Sequence, residues 1–232
     1  MFPLKDNIPA RVFPVVNIAL IAANLLFFFY AVTRGDLVQH FYDQHGFVPA
    51  RFLADTNFLF APGRILPVFS SMFLHANVMH LFGNMWMLWI FGDNVEDAMG
   101  HGRYLLFYFL CGAASVAAQT LATPVSLVPM VGASGAISGV LGAYFCTYPR
   151  ARILTFLPLF IFFYLVEVPA YFFLGLWFLL QFIQGWAHFA GDATASVGVA
   201  WWAHVGGFGV GVLLIRLFKN NSSESKGKRL QL

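Results

Sequence analysis

The sequence predicts an all-α, polytopic membrane protein: one bundle of six transmembrane helices. Three observations carry that expectation. Hydrophobic residues fill 59% of 232 positions and charged residues only 10%, with a mean hydropathy of +0.73. A soluble domain carries about 25% charge, so this much apolar surface has no aqueous core to retreat into. Six apolar runs, at about 13–32, 69–91, 103–122, 133–148, 169–187 and 198–218, reach or approach the length that crosses a bilayer. Finally, the basic residues divide unequally between the loops. With the N-terminus inside, Lys5, Arg11, Arg103, Arg150, Arg152, Arg216, Lys219, Lys226, Lys228 and Arg229 share one face, while Arg34, Arg51 and Arg64 share the other. Ten against three satisfies the positive-inside rule for an even number of spans.

The first run, Phe13 to Val32, covers about 20 residues and is followed by no small-x-small cleavage pattern before Arg34. It is therefore expected to be a retained span rather than a signal peptide. The connection from Arg34 to Phe69 mixes charge with amphipathic pieces, which suits a segment lying in the membrane interface. A single helix from Ile153 to Gly185 would be about 50 Å long, too much for a bilayer. Glu167 and Pro169 interrupt it, so a short interfacial segment followed by a span is expected. Residues 1–218 thus form one six-span domain, and the polar tail over 219–232 is expected to be disordered. Both termini are expected in the cytoplasm, with short ends and no obvious transit peptide pointing to a bacterial inner membrane. Cys111 and Cys146 lie in apolar runs without metal-like spacing and are expected to pack rather than to bridge.

Two polar residues stand where lipid should exclude them. Ser134 opens the fourth run in "VGASGAISG", and His204 lies inside the sixth in "WWAHVGGFGVG". An ionisable group in a span implies a function or a dedicated partner. From Ser134 to Tyr148 the fourth helix covers about 21 Å, which leaves Ser134 about 9 Å below the outer edge of a ~30 Å core. Counted from Gly198, His204 reaches the same depth of about 9 Å. Gly135 and Gly139 make one small-xxx-small face; Gly207 and Gly211 make another, one and two turns below His204. Such faces bring helix backbones close, and a Ser–imidazole hydrogen bond needs that closeness. Packing alone requires the same glycines, so they support the pairing without proving it.

His80 and Asn84, spaced i and i+4 on the second span, face the same way. Acyl transfer needs donors for a developing oxyanion, and an imidazole N–H, an Asn amide and the backbone N–H of Ser134 at a helix start all qualify. An interhelical hydrogen-bonded pair is the plainer alternative. His75 falls near the outer end, in a position to shape a cavity mouth. No HExxH motif exists, Asp93 and Asp97 lie in the polar loop after span two, and no intramembrane carboxylate is placed to orient His204. A Ser–His dyad is therefore expected, with no metal and no cofactor.

Together these residues resemble the rhomboid family of intramembrane serine proteases, over roughly Arg64 to Leu217. "HANVMHLFGNM" is similar to the family's second-span pattern, with His80 and Asn84 at its oxyanion positions. "FGDNVEDAMG" resembles the GxxxExxxG loop through Gly92, Glu96 and Gly100. "GASG" resembles the nucleophile motif at Ser134, and "AHVGGFGVG" the general-base motif at His204. Two departures stand out. Gly63-Arg64 stands where the family often has Trp-Arg, and Ser138 stands where an aromatic commonly stacks on the base, leaving the His204 ring to be held by Trp201, Trp202 or Phe208, or held less firmly.

The resemblance implies a serine endopeptidase acting on transmembrane segments of other membrane proteins within the lipid bilayer. No nucleic-acid partner is implied. Phe172, Phe173 and Trp177 of the fifth span either plug a lateral opening or simply face lipid. The alternatives are an inactive relative that captures membrane helices, or a small transporter. Transport is disfavoured by the lack of a midplane acidic residue or repeat symmetry.

Overall fold

The computed structural model describes residues 1–54, 61–159, 161–189 and 199–220. A strand, β1 (Phe2–Asp6), precedes α1 (Val15–Val32). The connection that follows holds a 3-10 turn (Gly35–Leu37), α2 (Val38–His45), α3 (Pro49–Ala54) and α4 (Pro62–Ser70). A second 3-10 turn (Ser71–Phe73) leads to α5 (Val78–Met99), then α6 (His101–Ala122) and α7 (Ser134–Thr147). Strands β2 (Arg152–Leu159) and β3 (Phe162–Pro169) come before α8 (Ala170–Phe189) and α9 (Trp201–Phe218).

Among the described residues, α1, α6, α8 and α9 are long and apolar enough to cross a membrane, and α4 with α5 makes a fifth candidate bent by 82°. This is a multi-pass membrane protein. The second apolar run is therefore not one straight helix from Phe69. Asn77 breaks it, its side-chain oxygen accepting the His80 N–H at 2.9 Å as an N-cap. Nor does the helix stop before the acidic "GDNVEDAM". It runs on to Gly100, whose φ of +82° ends it, so Asp93 and Asp97 lie on α5 and not in a loop.

That extension explains the Gly92-Glu96-Gly100 spacing. Glu96 is 1% exposed, and its carboxylate accepts the backbone N–H groups of Val16 at 3.0 Å and Asn17 at 2.7 Å. It thus caps the N-terminus of α1 from another helix, as the orphan donors and the dipole there demand. Gly92 leaves room for Asn17, because a Cβ at Gly92 would sit 2.1 Å from Asn17 Oδ1.

The all-α expectation is corrected by a three-stranded antiparallel sheet in the order β1-β2-β3. The stretch expected as an interfacial segment is a hairpin, Arg152 pairing with Pro169 and Leu159 with Phe162. A run that is mostly apolar on both faces carries little periodicity to separate helix from strand, and here Val, Ile, Thr and aromatic residues favour the strand. β1 joins by distant contacts: Phe2 pairs with Phe156, and the Trp86 indole N–H donates to Pro3 O at 2.7 Å. Pro158 is tolerated because β1 reaches only as far as Phe156. The sheet packs on α5 through β1 and on α8 through β2 and β3.

α7 occupies the centre, packed on α5, α6 and α9. Every residue from Gly135 to Tyr144 is buried, as befits a helix that is apolar all round. With 14 residues it measures about 21 Å, short of a full crossing. Gly207 faces the carbonyl of Gly135 and Gly211 that of Gly139, so close that a Cβ on either would lie 2.0 or 2.1 Å from the opposing oxygen. The two small-residue faces read from the sequence do meet. The stretch 190–198 before α9 and the tail over 221–232 lie outside the described residues.

Candidate active site

Ser134 begins α7, so its backbone N–H belongs to the first turn, where donors have no intrahelical acceptor. The chain reaches it through a short extended segment. Phe47 and Met130 exchange backbone hydrogen bonds of 3.1 and 2.7 Å, and the Gly132 N–H donates to Ser71 O at 2.9 Å. Gly132 takes φ +131°, closed to most side chains. Two contacts clamp the α2 region over the same place: the Tyr42 hydroxyl donates to His75 O and the Ser70 hydroxyl to His45 O, each at 2.7 Å.

His204 stands on the first turn of α9, its Nε2 2.8 Å from Ser134 Oγ. The glycine contacts between α7 and α9 lie directly beneath this pair. On its other side, His204 Nδ1 is 2.7 Å from Gln181 Oε1 of α8. An oxygen acceptor there requires the proton on Nδ1, leaving Nε2 bare to accept the serine O–H. The Trp177 and Trp201 rings each lie 6.1 Å from the imidazole, centroid to centroid. Of the three aromatics expected to hold the ring, Trp201 is brought to it; Trp202 packs on Phe182, and Phe208 on Phe178 and Trp177. Ser138 donates its hydroxyl to the Ser134 carbonyl at 2.6 Å and stays within α7.

His80 is brought close. A Cβ on Gly132 would lie 2.8 Å from His80 Nε2 and 3.6 Å from Ser134 Oγ, so the ring and the hydroxyl border the same small space. Asn84, one turn further on the same face of α5, is 7% exposed, and its Nδ2 donor is buried without a partner among the described residues. His75 does not shape a mouth. It is fully buried under the connection, edge-on to His80 with ring centroids 5.2 Å apart. A cavity of about 30 Å³ touches Ser134 and is lined also by Ser71 and Ser115; that is room for about one water with polar partners. Among the described residues no cluster of metal-ligating side chains occurs. The larger cleft, among α2, α3 and α4 beside Arg51 and Arg64, borders none of these four residues.

Gln181 is the participant that sequence reasoning missed. A signal existed: an amide within an apolar run, four residues after Trp177 and so on the same helix face.

The model of the rhomboid domain matches residues 62–221, which include Ser134, His204, His80 and Asn84. The chain belongs to the rhomboid family. This is a family of intramembrane serine proteases, and the rhomboid match spans every helix from α4 to α9. Among curated rhomboid relatives, Rhomboid protein 1, mitochondrial, of Saccharomyces cerevisiae is 31% identical over 170 residues, covering 72% of this chain and 45% of the yeast protein. The rhomboid protease GluP of Bacillus subtilis is 39% identical over 92 residues, 40% of this chain and 18% of that one. The human presenilin-associated rhomboid-like protein, mitochondrial, is 31% identical over 99 residues, 41% of this chain and 26% of its own length. The chain thus spans less than half the length of each of these rhomboid relatives.

Proposed function

We propose that this chain is an intramembrane serine endopeptidase that cuts transmembrane segments of other membrane proteins near the outer interface. The observation that supports it best is the 2.8 Å contact between a hydroxyl and an imidazole seventy residues apart, on two helices locked together by glycines. His204 takes the proton as Ser134 Oγ attacks the substrate carbonyl. The oxyanion is held by His80, Asn84 and the backbone N–H of Ser134. The leaving amine takes the proton from His204, and the acyl-enzyme is then hydrolysed by water with His204 again as base. The small polar cavity beside Ser134 is a source for that water. Activity falls at low pH as His204 protonates.

A carbonyl inside a regular helix is not open to attack, so the substrate must unwind near the cut. Small residues there, followed by a helix breaker, make unwinding easier. In this reading residues 1–218 form a single domain with six spans: α1, α4 with α5, α6, the short α7, α8 and α9. Both termini are cytoplasmic, in a bacterial inner membrane, and Ser134 lies towards the outer side. Phe172 is half-exposed on α8 and Phe173 is buried, while Trp177 turns to His204, so of the three only Phe172 is free to face lipid or a lateral opening.

A fluorophosphonate probe tests the nucleophile. Labelling of the folded protein that vanishes in both Ser134→Ala and His204→Ala supports the reading. A blank on folded wild type favours a relative that holds membrane helices without cutting them.

A further inference from the structure

We propose that Gln181 is a positioning residue for the general base, so that Ser134, His204 and Gln181 form a hydrogen-bonded row supplied by three helices. This rests on the serine-protease reading for its consequence in catalysis, although the geometry stands without it.

The sequence offers no carboxylate to orient His204, and the Ser138 hydroxyl is spent on the Ser134 carbonyl within α7. An imidazole on the first turn of a helix has two free torsions and two tautomers. Only one tautomer serves as base here: hydrogen on Nδ1, lone pair on Nε2 towards Ser134. The 2.7 Å contact from Nδ1 to Gln181 Oε1 selects that tautomer, because an amide oxygen accepts and cannot donate. If the amide turned to present its nitrogen, the proton would move to Nε2 and the serine would face a donor.

Trp177, one turn earlier on α8, walls the same ring at 6.1 Å, and the neighbouring Phe178 packs on Phe208 at 4.6 Å, fixing α8 against α9. Gln181 and Trp177 are spaced i and i+4, so one face of α8 supplies both the tautomer selection and the wall. A neutral amide also suits this depth better than a carboxylate, since it holds the proton on Nδ1 without placing a buried charge in the bundle.

Two variants and two readouts decide the matter, on the full chain in detergent micelles. The first readout is nitrogen NMR of ¹⁵N-histidine-labelled protein, with the His204 signals assigned by their loss in His204→Gln. At neutral to alkaline pH, wild type should show protonated Nδ1 and bare Nε2. Gln181→Leu, similar in volume and without an acceptor, should show a mixture of tautomers or the inverse one. The second readout is cleavage kinetics. Gln181→Leu should lower kcat by about ten- to a hundredfold, a part of the 10²–10⁴ that a positioned base contributes, with KM little changed. Gln181→Glu should keep kcat in the alkaline range and move the acid limb of the profile to higher pH, because a carboxylate at Nδ1 favours the imidazolium.

Gln181→Leu with wild-type tautomer populations, or with wild-type kcat and pH profile, overturns the proposal. If no form of the protein cleaves anything, the protease reading fails, yet the NMR comparison still decides whether Gln181 sets the imidazole. Should Gln181→Leu fold poorly, Gln181→Glu carries the test alone: an unmoved acid limb and unmoved imidazole signals overturn it.

Discussion

Replacing Gly207 with alanine tests the geometry where packing and chemistry coincide. A Cβ built on Gly207 lies 2.0 Å from the backbone oxygen of Gly135, while real Cβ contacts stay beyond 3.0 Å, so α7 and α9 must part by about 1 Å. The obstacle is backbone and no side chain can swing aside. Gly135 adjoins Ser134 and Gly207 lies one turn below His204, so the displacement passes almost directly to the hydrogen-bonded Ser134–His204 pair. Their 2.8 Å contact would open to about 3.8 Å, beyond the reach of proton transfer. A misplacement of about 1 Å costs about a hundredfold in rate, and overpacking of this kind costs about 1–3 kcal/mol in stability. Cleavage kinetics on purified protein, read beside a thermal melt, separate the two effects. Gly209→Ala is the control, since nothing lies within 4 Å of a Cβ there, and it should change neither. A folded Gly207→Ala protein that cleaves as wild type does would refute the reasoning.

Three further outcomes are expected. Glu96→Ala removes the acceptor of two backbone donors at the start of α1 and should lower stability by about 2–4 kcal/mol, with kcat of the surviving folded protein little altered; denaturant titration in micelles reads the first and a progress curve the second. Asn84→Ala removes a donor that the proposed mechanism places at the oxyanion and should lower kcat by about 10²–10³ with KM nearly constant; a fall confined to KM would assign Asn84 to substrate binding. Asp6 on β1 is raised to about 6 by burial, against the lowering effect of the Tyr144 hydroxyl it accepts, with nearby Asp93 raising it further. Because its folded value lies above its unfolded one, its contribution is full below about 4 and is lost as pH rises through about 6. Asp6→Asn should flatten that slope of stability against pH between 4 and 7, as followed by thermal melts.

The spans were legible in the sequence because lipid leaves one signal, an apolar run of fixed length. α1, α6, α8 and α9 fall within a few residues of expectation, and the glycine faces of α7 and α9 meet as their spacing required. Boundaries failed where a tertiary contact overrode the local signal. Acidic residues seemed to end the second span, yet Glu96 lies buried inside a longer α5 because its partners are the backbone amides of α1. The hairpin failed for a different reason: apart from Arg152, Thr155 and Glu167 its strands are apolar on both faces, so no alternation marks them, and the pairing of β2 with Phe2–Asp6 is a contact of some 150 residues that no local pattern announces. At the site, Ser134 and His204 stood out as polar residues at matching depth and are brought into contact, while His80, read from its i, i+4 spacing with Asn84, borders the same space. Gln181 was passed over because an amide is a weaker anomaly in lipid than an imidazole. Counting from Ala170 would have placed Gln181 about 16 Å up its helix, within a turn or so of the depth assigned to His204.

The central claim is tested most directly by co-reconstituting the purified protein into liposomes with a single-span substrate. The substrate carries small residues near its outer end, and its fragments are weighed by mass spectrometry. Wild type should release two fragments whose masses place the cut near that end, and Ser134→Ala should release none. Folded wild type that leaves the substrate whole, or Ser134→Ala that cuts at the same bond, would contradict it.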